Sequence, residues 1–424
     1  MRLPTGIIVP IYSRSKYRRK TMVKVAVLGY GTVGSGVVQV IKDNNELVSK
    51  RSGTEVDVKY ILDLREFPGD PYESLVIHDF NTIVADPEIG VVCETMGGVG
   101  AAYAFTKQCL EAGKSVCTSN KELVAKHGPE LLEIAKANNC SYLFEASVGG
   151  GIPIIRPIMD ALCAEKIESI LGILNGTTNY ILTKMEQEGA DFDAVLKEAQ
   201  ALGYAERDPS ADIEGHDACR KIAILSSLMT GKNVDSEKVY TEGITKITAE
   251  DFAFAKEAGY TIKILGVSEA KEDGSTLIYV SPFLINKAHP LAMVNDVFNA
   301  IFVTGNMVGD TMYYGKGAGK LPTASAVVAD VIDAARHIGK NIPCYWDAQS
   351  AKLAELDDVS HKFFVRIKSE KLYELENLFP GGEELDMAFG GQRVYITPEV
   401  NEKEFRTAAE KLGDGLLGRI RVYG

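Results

Sequence analysis

The sequence predicts an α/β protein built from a doubly wound parallel sheet, a second domain of α+β character and a small ferredoxin-like C-terminal domain. Three observations predict it. Short apolar runs alternate with helical patterns over the first third of the chain, and a Gly-x-Gly-x-x-Gly stands between one such run and a helix. Residues 360–424 read strand, helix, strand, strand, helix, strand, which is the split-βαβ order.

A chain of 424 residues is long for one domain, and two or three are expected. With 46% hydrophobic and 25% charged residues it can bury a large core. The 46 Lys+Arg against 58 Asp+Glu leave a net charge of −12, which argues against nonspecific nucleic-acid binding. No apolar run approaches the roughly 18 residues of a membrane span. The 7 cysteines contain no C-x-x-C, so neither a disulfide framework nor a zinc site is expected, and a reducing cytoplasm fits. Residues 1–21 hold six basic and no acidic residues and read as a disordered extension ahead of a folded pattern that starts at Met22.

Val23 to Leu28 (VKVAVL) is a short apolar run of the buried parallel-strand kind, and a helical pattern runs on to Ile41. Val56 to Leu62, the stretch around Val91-Val92-Cys93, and Ser115 to Thr118 are further strands; Tyr103 to Ala112 is a helix stopped by Gly113, and Leu143-Phe144 closes the unit. The texture changes at Val148. A helix from Arg156, a strand over 167–174, a tight polar turn over Asn175 to Asn179, and helices over 193–202 and 216–229 follow. Strands at 276–280 and 300–303 give this domain its own sheet, and a helix over 322–338 follows Gly315 to Gly319. The division is therefore 22–147 for the first domain, completed by a helix at about 318–340, then 148–317, then 360–424.

Gly29, Gly31 and Gly34 lie where a dinucleotide fingerprint must lie, between strand and helix. The first makes the turn, the second admits the pyrophosphate, and the third lets helix and strand pack, with Thr32 and Val33 opening the helix. Asp63, ending the second strand, suits the adenosine ribose hydroxyls and NAD, whereas Arg65 suits a 2′-phosphate and NADP, so the preference stays open. In Ala199 to Lys221, several acids and two glycines precede a helix on which Asp217 and Lys221 share a face. Ile222 to Leu225 must be core, so Lys221 is expected at a buried edge, where proton chemistry is favoured; an exposed surface ion pair is the alternative. Lys121 follows the fourth strand at the carboxyl edge of the sheet, where ligands bind. Glu145 offers a carboxylate and the run to Ile152 a bent series of free carbonyls, which suits a hard cation; a bare structural turn serves equally well.

On these residues the chain resembles the homoserine dehydrogenase family. The 199–221 segment carries that family's signature, and the fingerprint, Ser119-Asn120-Lys121, E-A-S-V-G-G-G-I-P, G-T-T-N and G-A-G-x-x-P-T-A-S-A follow in family order over about 22–340. The resemblance implies a Rossmann-type domain that uses NAD(P)H to interconvert aspartate 4-semialdehyde and homoserine, a step toward threonine and methionine. It implies that Lys221 donates the proton, that Lys121 is a second catalytic lysine, and that Glu206, Asp212 and Asp217 bind substrate. Gly203 and Gly317 would line the cofactor. Glu145 with Val148, Gly150 and Ile152 would hold a monovalent cation, Na+ in the family pattern. A homodimer or homotetramer, with the 167–174 strand at the interface, is also implied.

The tail resembles an ACT regulatory domain in order of elements, which makes threonine a candidate effector; a purely structural or oligomerising tail is the alternative. The segment departs from the ACT pattern after its first strand, where Lys368-Ser369-Glu370-Lys371 replaces the usual Pro-Gly bend. Another amino-acid or aldehyde dehydrogenase on the same scaffold is the first competing reading, and would have to match the Glu206-to-Lys221 signature by chance. A nucleotide-sensing regulator is the competing reading of a different class, but there is no helix-turn-helix pattern to support it. A fusion to aspartokinase is not expected either, since nothing large precedes Met22.

Overall fold

The computed structural model describes residues 22–423, so the basic extension expected over 1–21 lies outside the described residues. Six strands form the first sheet: β1 (Val23–Leu28), β2 (Val56–Leu62), β3 (Val76–Ile77), β4 (Ile89–Glu94), β5 (Ser115–Thr118) and β6 (Tyr142–Leu143). Their order is β3-β2-β1-β4-β5-β6 with every pairing parallel. Helices α1 (Thr32–Asp43), α2 (Asn45–Ser52), α3 (Asn81–Ala85), α4 (Gly100–Glu111) and α5 (Lys121–Ala137) connect them. Because chain order reverses between β1 and β4, their carboxyl ends open a crevice, the usual ligand position in such sheets.

The second sheet draws on β7 (Ile167–Ile173), β8 (Tyr240–Thr241), β9 (Tyr260–Ala270), β10 (Thr276–Asn286), β11 (Phe298–Gly305) and β12 (Gly309–Lys316). Helices α6 (Gly176–Glu188), α7 (Phe192–Ala201), α8 (Ser210–Ile213), α9 (His216–Thr230) and α10 (Ala249–Glu257) accompany it. α11 (Lys320–Arg336) returns to the parallel sheet, packing on α1 and over β4 and β5. The tail follows as β13 (Ser360–Lys368), α12 (Leu372–Leu378), β14 (Glu383–Phe389), β15 (Gln392–Ile396), β16 (Val400–Asn401), α13 (Glu402–Leu412) and β17 (Leu416–Tyr423). Its sheet runs β17-β13-β15-β14, the ferredoxin-like order. β17 also pairs in parallel with β10, so tail and second sheet form one continuous path from β12 to β14.

Several expectations change. Asn175 to Asn179 is the start of α6 rather than a free turn: Asn175 Oδ1 accepts the Thr178 N–H at 2.8 Å as an N-cap. The helix expected from Arg156 is a single π-type turn, Pro157–Ala161, because Leu162 N–H bonds back to Pro157 O and ends it. The strand expected at 276–280 continues to Asn286, held along its length by β9.

Candidate functional site

The crevice divides into two cavities. The first, about 810 Å3, is walled by Gly29, Gly31, Asp63, Arg65 and the Thr95–Gly97 loop. Gly29 has φ +90, and a Cβ on Gly34 would sit 1.9 Å from the Gly29 carbonyl oxygen, so the turn requires glycine at both places. Thr32 is exposed at the first turn of α1, whose free N–H groups and dipole favour a phosphate there. Asp63 accepts from the Tyr30 N–H at 2.8 Å and from Arg65 Nε and a terminal guanidinium nitrogen at 2.9 Å each. That guanidinium holds the Asp63 carboxyl well below the usual carboxylate range. Residues suited to NAD and to NADP thus share one wall, already paired with each other.

The second cavity, about 670 Å3, lies between the parallel sheet and the second domain, and Val33, Lys121, Val148, Gly150, Asp212, Asp217, Lys221 and Gly317 all reach it. Asp217, buried in the first turn of α9, is its centre. Lys121 Nζ is 2.8 Å from Oδ1 and Lys221 Nζ 2.8 Å from Oδ2. Lys221 also donates to Leu174 O at 2.7 Å. Burial works against the Asp217 charge, but the two lysines hold its carboxyl well below the usual range. Burial would likewise lower the Lys121 ammonium, and the facing carboxylate overrides it and raises the lysine. The buried reading of Lys221 therefore wins over the surface ion pair.

Asn175, which the sequence offered only as part of a turn, joins the cluster: its Nδ2 donates to Asp212 at 2.7 Å and to Asp217 at 2.9 Å. Burial pushes the Asp212 carboxyl up, against the Asn175 hydrogen bond. Tyr204 also lines this cavity, its carbonyl accepting from Thr177 at 2.6 Å.

Gly203 and Glu206 line neither cavity: Gly203, at φ +77, turns the chain out of α7, and Glu206 is exposed on the segment that follows. Glu145 changes role. The Glu145 carboxylate accepts the N–H groups of Ile154, Ile155 and Arg156 at 2.6, 2.8 and 2.8 Å, so its charge serves the next turn of backbone and is not a free ligand. Among the described residues the carbonyls of Glu145, Val148, Gly150 and Ile152 accept no loop or side-chain hydrogen bond. Gly150, at φ +57, carries this loop to Gly317, whose carbonyl oxygen would lie 2.2 Å from any Cβ there.

A parallel sheet with this fingerprint, opening beside a buried lysine–carboxylate–lysine cluster, defines an NAD(P)-dependent oxidoreductase. Residues 29–145 match the model of the homoserine dehydrogenase NAD-binding domain and 153–332 the homoserine dehydrogenase model. A homoserine dehydrogenase of Lactococcus lactis is 35% identical over 428 residues, covering 95% of this chain and 99% of that one, and one of Bacillus subtilis is 45% identical over 314 residues, covering 73% and 72%. The crystal structure of a homoserine dehydrogenase from Thiobacillus denitrificans superposes with TM-score 0.87 at 37% identity, covering 95% of this chain and 98% of that one. A hyperthermophilic archaeal homoserine dehydrogenase in complex with NADPH gives TM-score 0.63 at 28% identity over 74% of this chain and 97% of its own. The chain belongs to the homoserine dehydrogenase family.

Proposed function

We propose that the second cavity interconverts aspartate 4-semialdehyde and homoserine, with the dinucleotide lying along the crevice from the first. The observation that carries this is the placing of Lys121, Asp217 and Lys221 within one cavity beside the fingerprint helix. NAD(P)H, when bound, supplies the hydride to the aldehyde carbon. The chain answers the negative charge that then grows on oxygen: Lys221 donates a proton from Nζ, and Lys121 adds a second positive charge nearby. Asp217 orients both lysines and, with Asp212, favours the substrate ammonium. Glu206 can share that task only if the 203–208 segment folds over the bound substrate. Turnover of NADH or NADPH with aspartate semialdehyde is expected for the wild type and should fall at least 100-fold in Lys221→Ala. Absence of wild-type turnover with either dinucleotide overturns the assignment, and a nearly intact Lys221→Ala overturns the role of that lysine.

The chain divides functionally into a dinucleotide-binding part, 22–147 with the helix near 318–340, a substrate-binding and dimerisation part, 148–317, and an ACT-like tail, 360–424. A monovalent cation, Na+ by resemblance, fits the loop at Glu145, Val148, Gly150 and Ile152, and the carbonyls of the last three, which accept no loop or side-chain hydrogen bond among the described residues, support it. Assembly as a homodimer or homotetramer is supported by β12, an edge strand with Met312 and Tyr314 exposed. The ferredoxin-like tail supports threonine as an effector; unchanged rate and melting temperature in millimolar threonine would remove that idea. A cytoplasmic location agrees with a biosynthetic role and with the absence, among the described residues, of any helix long and apolar enough to cross a membrane.

A further inference from the structure

Glu94, the last residue of β4, is fully buried and its contacts are neutral. The Thr118 hydroxyl donates to Oε2 at 2.6 Å and the Met96 N–H to Oε1 at 2.8 Å. The titratable group that faces it is the Tyr142 phenol on β6, and no ion pair reaches it among the described residues. Burial pushes its carboxyl up to about 7 against these hydrogen bonds. A carboxyl in such a place is costly, so what its two oxygens hold is informative.

One oxygen leads to the catalytic cluster. Thr118 Oγ1, which donates to Glu94, itself accepts the Asn120 N–H at 2.9 Å. Asn120 caps α5 by accepting the Leu123 N–H at 3.1 Å, and α5 begins with Lys121. The other oxygen leads to the dinucleotide wall. Met96, with Thr95 and Gly97, lines the first cavity, and the Thr95 hydroxyl lies 2.9 Å from both the Leu28 and Gly29 carbonyl oxygens. The Asn120 amide closes the circuit by donating to Gly98 O at 2.7 Å.

We propose that Glu94 is a positioning residue of the reaction: through Met96 and Thr118 it fixes the 95–98 loop and the β5–α5 turn as one unit, setting the dinucleotide wall and Lys121 at a defined separation. This rests on the reading of Lys121 as catalytic and of the first cavity as the dinucleotide site. A glutamine at position 94 keeps both contacts, because its oxygen accepts from Met96 and its amide donates to the second lone pair of Thr118 Oγ1. Leucine breaks both, and valine at 118 breaks one, together with the bond from the Asn120 N–H, while keeping the β-branched shape.

The test measures kcat, KM for the dinucleotide and melting temperature on the full-length enzyme, with rates expressed per folded molecule. Glu94→Leu is expected to lower kcat and raise dinucleotide KM about tenfold each, since sub-ångström misplacement of reacting groups costs rates of that order. Glu94→Gln should stay within about threefold in both. Thr118→Val should lower kcat about tenfold and leave KM within about twofold, a split that a merely structural role does not produce. Wild-type kcat and KM in Glu94→Leu, whatever its melting temperature, overturn the proposal. So does a Glu94→Gln enzyme as damaged as Glu94→Leu, or a Thr118→Val enzyme altered only in KM. If Glu94→Leu does not fold, Thr118→Val and Glu94→Gln decide together: wild-type kcat in the first, or kcat and KM both about tenfold worse in the second, overturns the proposal. Lys121→Met separates the two failures. Undiminished kcat there overturns the catalytic reading of Lys121; lost kcat there, beside wild-type behaviour of the Glu94 and Thr118 variants, overturns the positioning and leaves that reading standing.

Discussion

Asp217 gathers the charges of the second cavity, and its surroundings determine how the site responds to substitution and to pH. Two buried or half-buried lysines converge on one carboxylate, each at 2.8 Å. Asp217→Asn keeps the shape but leaves both lysines facing an uncharged amide, which is the costly way to break a buried pair. Activity should fall at least 100-fold, and stability near neutral pH by about 3 kcal/mol. The pH dependence has a definite sign. The folded carboxyl is held below its ordinary value, so the unfolded chain takes up the proton first as pH falls. The stabilisation is complete above about pH 5 and is lost as pH drops through the lower folded value. Denaturant midpoints of wild type and variant should therefore converge between about pH 4 and pH 2, and a constant gap over that range would count against this account. Lys221, Asp217 and Lys121 could be placed from the sequence because spacing on a helix and position at a strand end follow from local rules; Asp212 was reached only through the family resemblance. Asn175 was not, since its contacts are to residues 37 and 42 positions away. The fate of the Glu145 carboxylate was hidden too: a sequence shows a carboxylate and not which backbone N–H groups will claim it.

Elements were legible where burial makes their pattern simple. β1, in the interior of a parallel sheet, reads as a mostly apolar run (VKVAVL), whereas β2 (VDVKYIL) and β5 (SVCT) are recognised by their β-branched and aromatic content although polar residues interrupt them. α5 has Gly128-Pro129 in its middle, the local signature of a break, yet it continues through Ala137. Gly128 packs beneath the Trp346 ring, where a Cβ would come within 2.7 Å, so tertiary contact overrides the local preference. β9 is masked in the sequence by Lys263, a buried lysine that breaks the apolar run and donates to Val294 O at 2.7 Å. The start of α6 shows how one residue can serve element and site together. Asn175→Ala removes the cap, worth about 1 kcal/mol, and also the amide that bridges Asp212 and Asp217. A loss of stability near that size with a drop in kcat/KM of tenfold or more is expected; a stability loss with unchanged kinetics would confine Asn175 to capping. At the fingerprint, Gly34→Ala places a methyl 1.9 Å from the Gly29 carbonyl oxygen, so the turn must open. Dinucleotide affinity, read by fluorescence quenching, should weaken more than about tenfold while the second sheet stays folded.

At the scale of the whole molecule, the tail is joined to the second sheet more closely than its separate ferredoxin-like order implies. Three residues of β17 pair with β10, and Phe364, Ile420 and Val422 share one apolar core with Ile278, Val280 and Leu284. Two buried arginines reinforce the junction from the tail side. Arg366 Nε donates to Asp251 at 2.9 Å, and Arg421 donates to Glu402 at 2.5 Å and to Glu242 at 2.8 Å. The sequence showed two separate units here because a strand pairing between distant segments leaves no local trace. This chain has built its β10 edge and two acidic side chains around the tail's presence. Ending the chain at 359 would expose an apolar strand edge and leave Asp251 and Glu242 without their arginines, conditions that favour aggregation. Arg366→Met and Arg421→Met isolate the electrostatic part, because each removes a cation and leaves buried carboxylates behind. Each should cost about 3–5 kcal/mol in denaturant unfolding. The shortened chain should give mostly insoluble protein. If it proves soluble and active, and both substitutions cost less than about 1 kcal/mol, the tail is a separately folding module that merely rests against the sheet.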